Sequence, residues 1–171
     1  MADTWRATSQ AVAFASGKSM LDVFNATGTA KVIKIRRAFH FNSGTGAVTA
    51  ALTTMRLYRT TAASAGSAVT PVKHDTSNAA LDSNTTCGTG RTITDSDLFR
   101  QYVWLIEEPT TTGVTQANWE TLIPYGEIWN AGYGDSTVQP VTCRSAEGFH
   151  IKQQGSSAIS TNDFEIEFTS E

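Results

Sequence analysis

The sequence predicts an all-β fold, an antiparallel β-sandwich of jelly-roll-like arrangement with a long central loop and at most one short helix. Three observations predict it. Apolar and polar residues alternate in short segments, the period of a strand with one buried and one wet face. Turn-forming clusters separate those segments roughly every 8–15 residues, as in sandwiches. Only 17% of the residues are charged, and Ala, Thr, Ser and Gly stand in their place, a composition that disfavours long salt-bridged helices.

Taken in order, Trp5 to Phe14 and Ser19 to Phe24 read as Ala-rich strands. The clearest strand is Lys31 to Phe41. Its alternation puts Ile33, Ile35, Phe39 and Phe41 on a buried face, and Lys34, Arg36 and His40 on a wet, basic one. Asn42-Ser43-Gly44-Thr45-Gly46 supplies residues that tolerate positive φ, as a hairpin needs. The partner strand, Val48 to Tyr58, changes parity between Leu52 and Met55, which predicts a bulge. Thr61 to Arg91 reads as a long loop of Ala, Ser, Thr and Gly, interrupted by Thr70-Pro71-Val72-Lys73. Thr94 to Arg100 then predicts one short helix, capped by Thr94 with Asp97 three residues on.

Further strands are expected at Tyr102 to Ile106 and at Leu122 to Trp129. The first is apolar at both parities, which suits a strand covered on both sides. Gly148 to Lys152 alternates as well, and Gln153 to Ser157 begins a turn. Phe164, Ile166 and Phe168 alternate with Glu165 and Glu167 to give a core face and an acidic face. The 171 residues suit a single domain over 1–171, and no internal repeat is visible.

Composition and spacing exclude much chemistry. A net charge of −3 offers no footprint for nucleic acid, and no apolar run is long enough to span a membrane. No secretion leader is visible at the N-terminus. Gly17-Lys18-Ser19 lacks the earlier glycine of a phosphate loop, because Val12 stands at that position. His40, His74 and His150 are far apart, and Cys87 and Cys143 form no Cys-x-x-Cys pair, so no metal and no cofactor is expected. Asp95-Ser96-Asp97 begins like a calcium loop but lacks the required glycine and glutamate. No nucleophile elbow occurs. Glu107 and Glu108 diverge on a strand, and Glu165 and Glu167 read as an exposed acidic face. No catalytic residue is therefore assigned. Trp5, Trp104, Trp119 and Trp129, with Tyr125 and Tyr133, raise sugar stacking as an alternative to core or interface packing. The Asn25-Ala26-Thr27 and Asn84-Thr85-Thr86 triplets match glycosylation acceptors but carry little weight without a leader.

The order of segments resembles the virion structural proteins of tailed bacteriophages, in particular capsid decoration or cement proteins. The residues that carry it are the opening segment, Lys31 to Phe41, Leu57-Tyr58-Arg59, and the loop reaching Thr70-Pro71-Val72-Lys73-His74-Asp75. They continue with Leu122 to Glu127, Glu147 to Lys152 and Asp163 to Phe168. The resemblance implies a non-enzymatic sandwich that stabilises a phage head by binding the major capsid protein or other virion proteins, commonly as a homotrimer. It implies localisation to the virion, assembled in a host cytoplasm where Cys87 and Cys143 stay thiols. Residues 1–16 are expected to act as an N-terminal arm and 61–91 as a contact loop, because both contribute least to an internal core. The expected interface residues are Trp5, Phe14, Pro71 and Trp104. The alternatives are a tail, collar or fibre-associated virion protein and a carbohydrate-binding module. An enzyme is least favoured.

Overall fold

Alternation along the chain becomes two antiparallel sheets packed face to face, and no helix is present among the described residues. The computed structural model describes residues 2–42, 51–106, 126–132, 137–155 and 161–171. The strands in chain order are β1 (Asp3–Ala13), β2 (Leu21–Asn25), β3 (Ile33–Asn42), β4 (Ala51–Ser64), β5 (Ser67–Val69) and β6 (Val72–Lys73). They continue as β7 (Thr85–Thr89), β8 (Thr92–Ile106), β9 (Glu127–Asn130), β10 (Val141–Cys143), β11 (Glu147–Gln154) and β12 (Thr161–Ser170). The first sheet runs β10-β3-β12-β1-β6, with β9 also on β3, and the second runs β5-β7-β2-β11-β4-β8. With β5–β7 set aside, β1 to β4 and then β8 to β12 wind to and fro between the sheets as a jelly roll does.

The core lies between the sheets. Phe164, Ile166 and Phe168 of β12 face Phe149 and Ile151 of β11, all fully buried, with Ile33, Ile35, Met55 and Leu57 around them. The closing strand is read correctly from its alternation, and Glu165 and Glu167 face outward.

Five expectations need correction. The buried face of β3 is Ile33, Ile35, Ala38 and His40, while Phe41 is 36% exposed. The reason is a bulge: Glu167 pairs with Arg37 and Phe168 with Ile35, so Arg36 is an extra residue and parity flips beyond it. Residues 94–100 form strand, not helix, because the outer edge of β4 supplies backbone partners from Arg100 back to Thr92. That long-range ladder overrides a local capping pattern. The stretch 61–91 is not one loop. It holds the end of β4, a two-residue turn at Ala65 and Gly66 with φ of 58° and 77°, and then β5, β6 and β7. Nor is β1 an arm, since it lies between β12 and β6 with Trp5 and Ala7 in the core. Finally, the bulge expected between Leu52 and Met55 is absent, because β4 pairs with β8 in unbroken register from Ala51 to Leu57, and Thr53, Met55 and Leu57 follow one alternation into the core; the register shifts lie beyond it, between Leu57 and Ala62.

The hairpin residues 43–46, the start of the Val48 strand, Leu122 to Tyr125 and the turn beyond Gly155 lie outside the described residues.

Candidate functional site

Alternation turns Asp22, His150 and Tyr58 to the outer face of the second sheet, where they stand in one row across β2, β11 and β4. A face of that kind is ordinarily wet, yet Asp22 and His150 are 0% exposed and Tyr58 is 8% exposed. Two coverings account for this. The first is Arg91, whose guanidinium lies over Gly88; a Cβ there would meet its Nε at 2.2 Å, so only glycine fits. Arg91 donates to Asp22 Oδ1 (3.1 Å), to Thr86 Oγ1 (2.9 Å) and to the Cys87 carbonyl (2.8 Å). Ser19 Oγ donates to the other Asp22 oxygen at 2.6 Å. Burial pushes the Asp22 carboxyl up to about 6, against the pull of Ser19 and Arg91.

The second covering is the start of β8. Its bulges bring Asp95 over His150, whose Nε2 lies 3.1 Å from Asp95 Oδ1, while Lys152 Nζ holds Oδ2 at 2.6 Å. The imidazole stacks on Tyr58 at 5.4 Å between ring centroids. Burial holds His150 well below the usual imidazole range, and Asp95 opposes that only in part. Arg59 ties β8 down further, reaching Asp97 at 3.1 Å and Glu147 at 3.2 Å.

A histidine against a carboxylate is half of an acid–base relay. Here His150 Nδ1 has no hydrogen-bond partner among the described residues, and Tyr58 covers the ring. Ser19 is 1% exposed and bonded to Asp22. What this cluster does is fasten β8 across the sheet.

Fastened there, β8 is a 15-residue strand at the edge of its sheet, and among the described residues no strand pairs with its far side. Leu98 and Val103 stand out from it at 49% and 57% exposed. At the edge of the first sheet, Val72 of β6 is 66% exposed. Exposed aliphatic side chains on open sheet edges are suited to pairing with another chain.

The expected interface residues are scattered by comparison. Trp5 is 4% exposed, packed in the core, with Lys73 Nζ 5.6 Å from its ring centroid. Phe14, just after β1, and Pro71, beside Val72, are half-buried. Trp104 pairs through its backbone with Thr53, and its side chain lies outside the described residues. Leu98, Val103 and Val72 were not singled out by sequence reasoning. Alternation alone would set Leu98 and Val103 on opposite faces; the register shift against β4 and the place of β8 at the edge of its sheet put them together.

The remaining candidates separate in space. His40 lies between the sheets, with Tyr102 Oη 3.1 Å from Nδ1, Asn162 Oδ1 2.8 Å from Nε2, and Phe164 stacked on the ring at 4.6 Å. Burial lowers its pKa to about 4. It therefore lies on the opposite sheet from His150, and no group of three ligating side chains forms among the described residues. Cys87 and Cys143 are buried, unbonded thiols, and burial raises the latter to about 12. Gly17 and Lys18 form a turn bridged to Thr92. Asn25 is buried with its amide donating to the Lys31 carbonyl, out of reach of glycosylation. Trp129 packs against Phe99 and Phe149, while Glu107, Glu108, Trp119, Tyr125 and Tyr133 lie outside the described residues. No helix among the described residues is long and apolar enough to cross a membrane.

In comparisons with known proteins, no family model, no curated protein and no solved structure matches this chain.

Proposed function

We propose that this chain is a non-enzymatic structural protein of a tailed-bacteriophage virion, a decoration or cement protein that stabilises the head by binding capsid subunits. It acts as a homo-oligomer, with a trimer favoured by the resemblance, and takes no cofactor. The observation that carries this reading is β8, a long edge strand with Leu98 and Val103 exposed, fastened by the buried Arg91–Asp22 pair at its start and by Asp95 with His150 and Lys152. A rigid open edge favours docking because little ordering entropy is lost when a partner pairs with it. Val72 and Pro71 at the other edge supply a second contact.

The test is co-sedimentation with bare phage heads. The wild-type chain should bind at a copy number matching lattice symmetry. Leu98→Lys with Val103→Lys should weaken binding by roughly tenfold or more while leaving the fold intact, since both are solvent-facing. Binding to tails and not heads would move the protein to the tail or collar reading. A specific hit on a glycan array with no binding to particles would replace it with the carbohydrate-binding one. Trp5 and Trp129, two of the aromatic candidates for sugar stacking, are packed against the core, which weighs against that alternative.

A further inference from the structure

The bulge in β3 has a consequence on the opposite face of the molecule. Ile35 points into the core and Arg37 sits opposite Glu167 on the outside, so the extra residue Arg36 also points outward. Two successive guanidinium groups thus share the outer face of the first sheet, where ordinary alternation would turn one of them inward. The backbone of the bulge is held by the Ala131 amide, which donates to the Arg36 carbonyl at 2.9 Å. Both arginines line a depression of about 400 Å³, together with Thr4, Asn130, Glu167 and Thr169.

Three features mark this depression as a site. Neither Arg36 nor Arg37 has an ion-pair partner among the described residues, because Glu167 turns instead to Arg6 at 3.1 Å and His74 at 3.8 Å. Thr169 is 5% exposed, and its buried hydroxyl lacks any hydrogen-bond partner among the described residues while lining the depression. A buried hydroxyl without a partner costs free energy, which a bound acceptor would offset. The third feature is charge. Among the lining side chains Arg36 and Arg37 stand against Glu167, leaving one positive charge over the shelf.

We infer that this shelf binds a carboxylate, the Asp or Glu side chain of an acidic segment on a partner protein, held by Arg36 and Arg37 with the Thr169 hydroxyl as a third donor. Arginine forks match a carboxylate in geometry. A single negative charge balances the shelf, whereas a dianion or polyanion meets Glu165 and Glu167 beside it. The inference does not rest on the capsid reading, since it concerns the opposite sheet from β8.

The test titrates the full chain with the peptide Ac-Gly-Glu-Gly-NH2, following arginine Nε–H signals by NMR, with Ac-Gly-Gln-Gly-NH2 and inorganic phosphate as comparisons. Saturable shifts at Arg36 and Arg37 are expected with the glutamate peptide. Arg37→Gln should weaken binding about tenfold, and Thr169→Val, which keeps the shape, several-fold. Equal response to the glutamine peptide overturns the inference. So does tighter binding of phosphate, which would reassign the shelf to dianions, or the absence of any saturable shift. Because the readout uses no phage particle, failure here leaves capsid binding to be judged by its own assay.

Discussion

The two outer faces of this sandwich carry the same kinds of residues and end in different surroundings. On the first sheet, Arg6 bridges Glu165 and Glu167 with its side chain 38% exposed, so solvent screens the pair. On the second sheet, Asp22 meets Arg91 with side chains 0% and 11% exposed. The open face keeps its charged groups in contact with solvent. The closed face has become a second polar interior that clamps the edge strand. Both faces are set by alternation along their strands, and the difference is what lies on top.

The largest expected effect breaks the clamp. Arg91→Ala strands a buried carboxylate and should cost about 3–5 kcal/mol in urea denaturation, whereas Arg6→Ala should cost about 1 kcal/mol or less. Equal losses would show that the closed face is not closed in solution.

Acid titration sharpens the same contrast. Between pH 6.5 and about 4 the unfolded chain takes up a proton at His40 that the folded chain refuses. Stability therefore falls with pH across that window, by about 3 kcal/mol from His40, and His150 adds to the loss. Asp22 works the other way, because between about 6 and 3.8 the folded chain keeps a proton that the unfolded chain has released. It returns about 3 kcal/mol on acidification. Asp22→Asn removes that opposing contribution, so its stability should drop more steeply than wild type between pH 6 and 4. Parallel curves from denaturation at several pH values would refute the assignment.

A smaller effect compares the two buried histidines. His40 has partners at both ring nitrogens, so His40→Phe should cost about 1–3 kcal/mol. His150 is partnered by Asp95 at Nε2 but has no partner at Nδ1 among the described residues, so His150→Phe should cost less than His40→Phe, about 1 kcal/mol, by thermal or urea melts. The smallest change is at Ala65, held at φ 58° where a side chain is strained. Ala65→Gly should be neutral to stabilising by up to about 1 kcal/mol, and a loss in melting temperature would contradict the turn geometry.

The sequence by itself determined the class of fold, the two strongest strands and the acidic outer face of β12, because burial of alternate residues is a local property with period two. It did not show that Arg36 is a bulge residue, that His40 consequently faces the core, or that 94–100 is strand. Each of those depends on a partner strand distant in sequence, Glu167 and Phe168 in one case and the end of β4 in the other. The covered face of the second sheet was equally out of reach: Arg91 and Asp95 stand far along the chain from Asp22 and His150, and only folding brings them over those partners. Periodicity tells which way a side chain points from its own strand, while the number of residues the neighbouring strand places opposite it, and what is laid over it, are decided in three dimensions.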